Sequence, residues 1–147
     1  MSACKFLFSH NMPSSKGKIL GTFRYASIEW ALRNLPDDLG SLISRMALGL
    51  EEPRVTYRHL ILNPSERFGP DWHCDGQQKE DEIHRLWTWG GPPTLGKNGE
   101  VLLSGNVWEY SGTFLHKGQA VHRPTLRTII RVSQTKMICR NLWQFGR

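Results

Sequence analysis

Hydrophobic residues after Pro36 recur with the period of an α-helix. They fall at i, i+3, i+4, i+7, i+8 and i+11, and they are Leu39, Leu42, Ile43, Met46, Ala47 and Leu50. This spacing predicts one apolar stripe of an amphipathic helix, with Asp37 and Asp38 at the end where the helix dipole favours negative charge. Upstream, Ser27 can cap a shorter helix that runs to Leu35. The sequence therefore predicts two N-terminal helices.

After Pro53 the pattern becomes that of β-structure. Arg54–Asn63 alternates and is rich in Val, Thr, Tyr and Ile, as a strand requires. Short strand-like runs follow, separated by turns rich in Gly, Pro and Asn: Trp72–Asp75, Arg85–Trp89, Val101–Leu103, Val107–Tyr110, Thr113–Leu115, Ala120–His122, Arg127–Ser133 and Lys136–Cys139. Many short strands with such punctuation favour a barrel or jelly roll.

The predicted fold class is thus α+β and mainly β. We expect a single domain over residues 1–147, in which an N-terminal segment, 1–53, packs its two helices on the outside of a β-barrel core, 54–147. A hydrophobic content of 39% and a charged content of 22% are close to globular averages, which excludes an intrinsically disordered chain.

The cellular location of the protein and the redox state of its cysteines can be predicted from the absence of membrane, secretion and disulfide patterns in the sequence. No stretch approaches the roughly 20 apolar residues of a membrane helix, and the N-terminus lacks the apolar run of a secretion signal. Cys4, Cys74 and Cys139 are far apart, which fits neither a disulfide framework nor a thiolate zinc site. We expect a cytoplasmic protein with reduced thiols and no membrane partner.

Positive charge is concentrated near the C-terminus. The net charge is +6, and residues 101–147 contain seven basic residues and one acidic residue. Such a stretch can attract phosphates or an acidic substrate, and it is equally compatible with a solvated basic face.

Two neighbouring polar residues carry the most informative chemistry. His73 and Asp75 are two apart, and side chains at i and i+2 share one face of a strand. His122 lies several predicted strands downstream, where a barrel could bring it back beside them. Two imidazoles and one carboxylate form the facial triad that suits non-haem Fe(II). His116 is an alternative to His122, although a turn is predicted directly after it.

The strand after His122 offers arginines to an anionic ligand. Arg127, Ile129 and Arg131 share one of its faces, because side chains alternate along a strand. An inward-pointing arginine beside a metal can bind a carboxylate through two parallel hydrogen bonds.

These residues resemble the signature of the Fe(II)- and 2-oxoglutarate-dependent dioxygenases, enzymes of the cupin-like double-stranded β-helix, or jelly-roll, fold. That signature is His-x-Asp, a distal His, and a later Arg or Lys. The resemblance covers roughly residues 55–133 and implies Fe(II) held by His73, Asp75 and His122, with 2-oxoglutarate chelating it. It assigns the far carboxylate of 2-oxoglutarate to Arg131, nine residues after the distal His, with Arg127 as the competitor.

The resemblance also suggests neighbours for the two ligands. Family members often place a Tyr, Asn or Thr near the cosubstrate carboxylate, and the candidates are Tyr57, Asn63 and Thr94. Trp87 and Trp89 share a predicted strand face, so they are candidates for lining the barrel mouth and stacking on a flat substrate.

The implied activity is hydroxylation of an unactivated C–H bond in an unidentified, anionic substrate. That substrate could be an amino-acid-like molecule, a peptide side chain or a methylated base. Two alternatives stay open: a catalytically silent barrel that binds nucleic acid or a protein partner through a basic face, and a cupin-like hydrolase or isomerase that uses Zn or Mn. The sequence does not indicate an oligomeric state.

Overall fold

A computed structural model of the chain describes residues 3–11, 19–64 and 71–145. Within them, ten strands and two helices follow in chain order: β1 (Cys4–Ser9), β2 (Gly21–Ser27), α1 (Ile28–Asn34), α2 (Asp37–Met46), β3 (Arg54–Leu62), β4 (Ile83–Trp89), β5 (Thr94–Gly96), β6 (Val101–Leu102), β7 (Asn106–Ser111), β8 (His116–Lys117), β9 (Thr125–Gln134) and β10 (Gln144–Phe145).

Both predicted helices are present, and their ends follow local chemistry. The Ser27 hydroxyl accepts a hydrogen bond from the backbone N–H of Trp30, which caps α1. Pro36 separates the two helices, and α2 ends at Met46, earlier than the apolar stripe suggested. The stripe itself is confirmed, because its four residues within α2 are fully buried: Leu39, Leu42, Ile43 and Met46.

The strands form two antiparallel sheets. The large sheet has the order β1-β7-β4-β9-β3-β2-β10, and the small sheet has the order β6-β5-β8. His73 extends the small sheet through an isolated antiparallel bridge with His116. Neither described helix has the length and apolar character needed to cross a bilayer.

The large sheet is covered on both faces. Helices α1 and α2 pack on one face, where Phe23, Val55, Trp87, Ile130 and Val132 join the helical stripe in one buried cluster. A second cluster, formed by Leu86, Leu102, Tyr110 and Phe114, links the opposite face to the small sheet. His73, Asp75, Arg127 and Arg131 lie on this second side.

The prediction of a mainly β structure with two N-terminal helices is therefore confirmed. The prediction of a closed β-barrel is not. The described strands build two separate sheets, because successive segments leave the large sheet for the small one. The segment 1–53 also contributes β1 and β2 to the large sheet, which the hydrophobic pattern did not predict.

Three predicted strands are absent at their predicted positions: Thr113–Leu115, Ala120–His122 and Lys136–Cys139. Of the predicted strand Trp72–Asp75, only the bridge at His73 is present.

Candidate functional site

Asp75 lies at the centre of a buried polar cluster between the sheets, with only 8% of its surface exposed. Its Oδ1 lies 3.0 Å from Nη1 of Arg131. Its Oδ2 accepts a hydrogen bond from the Tyr110 hydroxyl at 2.6 Å and lies 3.0 Å from Nε2 of His116. Burial alone would raise the pKa of Asp75, but the charge of Arg131 and hydrogen bonds from His116 and Tyr110 hold that pKa well below its ordinary value. Asp75 is therefore ionised at neutral pH, the form that metal ions require.

Two histidines are oriented toward this carboxylate by the same kind of hydrogen bond, from Nδ1 to a backbone carbonyl. The backbones of His73 and His116 pair with each other through hydrogen bonds of 2.9 and 3.0 Å. Nδ1 of His73 donates to the carbonyl of Asp71 at 2.9 Å, and Nδ1 of His116 donates to the carbonyl of Phe114 at 3.0 Å. Because a carbonyl can only accept, each ring carries a proton on Nδ1 and turns Nε2 inward. This is the arrangement of metal-ligating histidines, whose second nitrogen is fixed by a backbone carbonyl.

The donor atoms lie close enough together to converge on one metal ion. Nε2 of His73 lies 3.8 Å from Oδ1 of Asp75, and the three ligand atoms lie within 4.8 Å of one another. Neighbouring donors at about 2.1 Å from one ion stand roughly 3 Å apart, so the donors of His116 and Asp75 already have this spacing and that of His73 lies farther out. The 3.0 Å between Nε2 of His116 and Oδ2 of Asp75 is bridged by a proton on Nε2 in this hydrogen bond, and a bound metal ion would take the place of that proton. The group His73, Asp75 and His116 could therefore hold a metal ion.

A cavity of about 120 Å³ opens beside this group on the inner face of the large sheet. Both ligand histidines line it together with alternate residues of β3, β4 and β9: Thr56, Arg58, Leu60, Leu62, Leu86, Thr88, Arg127, Ile129 and Arg131; Thr94 and Gly118 complete the lining. The predicted face of Arg127, Ile129 and Arg131 is thus confirmed, since all three point into one cavity.

The two competing arginines have different partners. Arg131 lies at the end of the cavity near Asp75, where its Nη1 contacts Asp75 and its Nη2 donates to the Tyr25 hydroxyl at 2.9 Å. Arg127 lies four residues earlier on the same strand, about 13 Å away along the backbone. Its Nη2 donates to Oγ1 of Thr94 at 3.2 Å, and its buried Nε has no hydrogen-bond partner among the described residues.

The distal histidine is not the one that the sequence favoured. His122 is exposed and lies in an open depression with Arg123 and Pro124, away from the ligand group. No strand forms at Ala120–His122, so nothing pairs that segment with His73. The alternative, His116, is brought to His73 and Asp75 by β8.

Most of the expected ligand neighbours lie elsewhere. Tyr57 points to the helical side of β3 and packs on Phe23 at 5.4 Å between ring centroids. Asn63 follows the end of β3 and is not among the described residues that line the cavity. Thr94 alone of the three is in the cavity, in contact with Arg127.

Trp87 and Trp89 share a face as predicted, but that face is not the one that lines the cavity. Trp87 and Trp89 stack on each other at 6.0 Å, but on the helical side of the sheet. Trp87 is fully buried and its Nε1 donates to the carbonyl of His10, so it cannot stack on a substrate.

Sequence reasoning missed three residues of the cluster, Tyr25, His84 and Tyr110. His84 is fully buried beside Tyr110, and its Nδ1 lies 2.7 Å from the hydroxyl of Ser133. Burial and the nearby Arg131 lower the pKa of His84 to about 4. Alternation along β4 was the available signal, because His84 shares a face with Leu86 and Thr88 of the cavity.

No family model matches the chain, and comparisons with curated proteins and with solved structures find no significant similarity.

Proposed function

We propose that this protein is a small Fe(II)- and 2-oxoglutarate-dependent oxygenase whose metal ligands are His73, Asp75 and His116. The observation that carries the proposal is that two imidazoles, each anchored through Nδ1, turn Nε2 toward one buried carboxylate. A 2-His-1-carboxylate set leaves open positions on an octahedral ion, as non-haem Fe(II) oxygenases require.

The order of the strands supports a jelly-roll fold for this site. From β3 onward the chain alternates between sheets: β3 in the large sheet, His73 beside the small one, β4 in the large, β5 and β6 in the small, β7 in the large, β8 in the small and β9 in the large. Such alternation between two facing antiparallel sheets is characteristic of a jelly roll. It also brings His73 and His116, far apart in sequence, to adjacent positions.

The cavity beside the ligands suits 2-oxoglutarate in size and charge. A volume of about 120 Å³ accommodates roughly ten atoms of water size, about as many non-hydrogen atoms as 2-oxoglutarate contains. Arg127 and Thr94 present donors away from the metal end, where the far carboxylate would lie. Arg131 is less suited to this role, because Asp75 already occupies its guanidinium. We therefore assign the cosubstrate carboxylate to Arg127, eleven residues after His116.

The residues of the chain act by positioning. When bound, the metal would activate O2, which is the oxidant, while 2-oxoglutarate would supply two electrons and become succinate and CO2 as the substrate C–H bond is hydroxylated. Arg131 and Tyr110 fix the two oxygens of Asp75, and the carbonyls behind His73 and His116 fix the ring orientations. Apolar side chains in the lining, such as Leu86 and Ile129, limit the access of water to this end of the cavity.

Anaerobic titration tests the proposal directly. Fe(II) added to the purified protein with 2-oxoglutarate should give the visible charge-transfer band of the metal–cosubstrate chelate, and neither component alone should give it. His73→Ala should abolish both the band and the formation of succinate in air. Succinate formation that persists in His73→Ala would contradict the proposal. Tight binding of Zn or Mn to the wild-type protein, with no spectral change when 2-oxoglutarate is added, would also contradict it. That second result would favour the alternative of a metal-dependent hydrolase or isomerase.

A further inference from the structure

Glu82 is a buried carboxylate that the metal group does not use. It lies directly before β4, and only 5% of its surface is exposed. Its Oε1 and Oε2 both accept a hydrogen bond from the backbone N–H of Gln77, at 3.1 and 2.9 Å, and Oε1 also accepts one from the backbone N–H of Lys79 at 3.1 Å. The hydroxyl of Thr135, just after β9, donates to Oε2. Glu82 therefore ties a loop to the large sheet.

The bonds that hold this loop are charge-assisted. Burial alone would raise the pKa of Glu82, but hydrogen bonds from the backbone of Gln77, from the Thr135 hydroxyl and from the backbone of Lys79 lower that pKa below its ordinary value. Glu82 is therefore ionised at neutral pH, and hydrogen bonds to an ionised acceptor are roughly twice as strong as those between neutral groups.

The same loop carries the metal carboxylate at its start. Asp75 lies two residues before Gln77, and its backbone carbonyl accepts a hydrogen bond from the N–H of Gln78 at 3.2 Å. Gln78 has a φ of +60°, a left-handed conformation that residues other than glycine rarely adopt. Such a conformation persists only where the surroundings impose it, and the N–H groups on both sides of Gln78 bind Glu82. The turn that follows Asp75 therefore depends on Glu82.

Two glycines leave the space that this carboxylate occupies. At Gly76 the φ is +63°, and a Cβ would lie 2.6 and 2.9 Å from the two carboxylate oxygens of Glu82. At Gly112 a Cβ would overlap Oε1 of Glu82 and the backbone carbonyl oxygen of Lys79. The residue next to Asp75 is thus packed directly against Glu82, so that a shift of Glu82 would be transmitted to the metal ligand.

We infer that Glu82 is a positioning residue for the metal group, because it fixes the turn that directs Asp75 toward the two ligand histidines without itself being a ligand. This inference rests on the proposed function in that it takes Asp75 as a metal ligand. Replacing a group that holds a metal ligand in place commonly weakens metal binding by about 10–100-fold. Because Arg131 and Tyr110 also hold the carboxylate of Asp75, we expect an effect near the lower end of that range.

The affinity of Glu82→Gln for Co(II) tests this role. Glutamine keeps the size of the side chain, but its NH2 group cannot accept hydrogen bonds from the backbone N–H groups of Gln77 and Lys79. We expect Co(II) to bind about tenfold more weakly and with a changed visible spectrum, at a temperature where circular dichroism shows that the variant is folded. In hydrogen exchange, the amides of Gln77 and Lys79 should lose their protection.

The matched control is Glu109→Gln, on the opposite face of the large sheet. Glu109 accepts a hydrogen bond from Nε of Arg85 at 2.9 Å, and Arg85 also donates to the carbonyls of Met46 and Leu48 on the helical side. Removing this carboxylate should lower Tm. It should change the Co(II) affinity by less than about twofold, because the sheet separates Glu109 from Asp75.

Unchanged Co(II) affinity and an unchanged spectrum in Glu82→Gln would overturn the inference, as would equal weakening in Glu109→Gln. If Glu82→Gln does not fold, Thr135→Val decides the question. It removes one hydrogen bond to the carboxylate and should weaken Co(II) binding by about threefold. A Co(II) affinity of Thr135→Val equal to that of the wild-type protein would then overturn the inference.

Failure of the proposed function would look different. A wild-type protein that binds Co(II) but gives no Fe(II)–2-oxoglutarate band would refute the oxygenase and leave the effect of Glu82→Gln measurable. Conversely, a normal band with unchanged Co(II) affinity in Glu82→Gln would refute only the positioning role of Glu82.

Discussion

The buried pair of Asp75 and Arg131 gives a quantitative test of the cluster. Asp75→Asn keeps the shape of the side chain and removes its charge, which leaves the Arg131 guanidinium without a counterion. With charge centres about 4 Å apart and an effective dielectric constant near 20, the lost attraction is about 4 kcal/mol. Breaking a buried ion pair by removing one partner commonly costs about 3–5 kcal/mol. For a chain of this size, that corresponds to a decrease of roughly 10 °C in Tm.

The assay is thermal and urea unfolding in the presence of a chelator, so that metal binding does not contribute. The double variant Asp75→Asn/Arg131→Met removes both charges and should recover most of the stability, with a coupling free energy of about 3 kcal/mol. The recovered fold should still bind no Fe(II), which separates loss of a ligand from loss of structure. The reasoning is refuted if Asp75→Asn costs less than about 1 kcal/mol, or if the double variant is no more stable than the single one.

Three further predictions follow from individual contacts. Because the pKa of His84 is lowered to about 4, only the unfolded chain takes up this proton between about pH 6.5 and 4, so stability should fall by about 2 kcal/mol from pH 7.5 to 5. His84→Gln should flatten that dependence in urea unfolding, and an unchanged slope would exclude His84 as its source. Arg127→Gln should weaken 2-oxoglutarate binding by calorimetry by at least about tenfold. Its control is Tyr57→Phe, which removes a buried hydroxyl that has no hydrogen-bond partner among the described residues. If both variants weaken 2-oxoglutarate binding equally, the assignment of the cosubstrate carboxylate to Arg127 is contradicted. At Gly90 the φ is +89°, and a Cβ would overlap the backbone carbonyl oxygen of Leu126 on β9. At Gly99 the φ is +96° with nothing within 4 Å. Gly90→Ala should therefore lower Tm more than Gly99→Ala does. Equal decreases in Tm would show that the positive φ, and not the contact with the carbonyl oxygen, determines the cost of the substitution.

Long regular patterns in the sequence predicted the fold well. The alternation of Arg54–Asn63 became β3, and the inward face of Arg127, Ile129 and Arg131 became part of the cavity wall. In both cases the two faces of the strand meet different surroundings, the helical core on one side and the cavity on the other, and this imposes a period of two over many residues. β1 escaped prediction because only part of this edge strand is half-buried, so its polar and apolar positions do not alternate cleanly.

The distal ligand shows why short elements are harder to predict. His116 belongs to a two-residue strand, and its position depends on pairing with His73, a contact between residues far apart in sequence. The glycine after Lys117 indicated a turn directly after His116, and for that reason His122 was predicted as the distal ligand. A turn at this position is also compatible with a strand of only two residues. The choice between Arg127 and Arg131 depended in turn on Asp75, whose contact with Arg131 is equally long-range.

The most direct test of the account is the affinity for a divalent metal in two single-histidine variants. Co(II), which reports its coordination through its visible spectrum, should bind the wild-type protein at one ion per chain. His116→Ala should weaken that binding by at least about 100-fold, since it removes a ligand, while His122→Ala should leave it unchanged. Weak binding in His122→Ala with normal binding in His116→Ala would contradict the site, as would a wild-type protein that binds no metal.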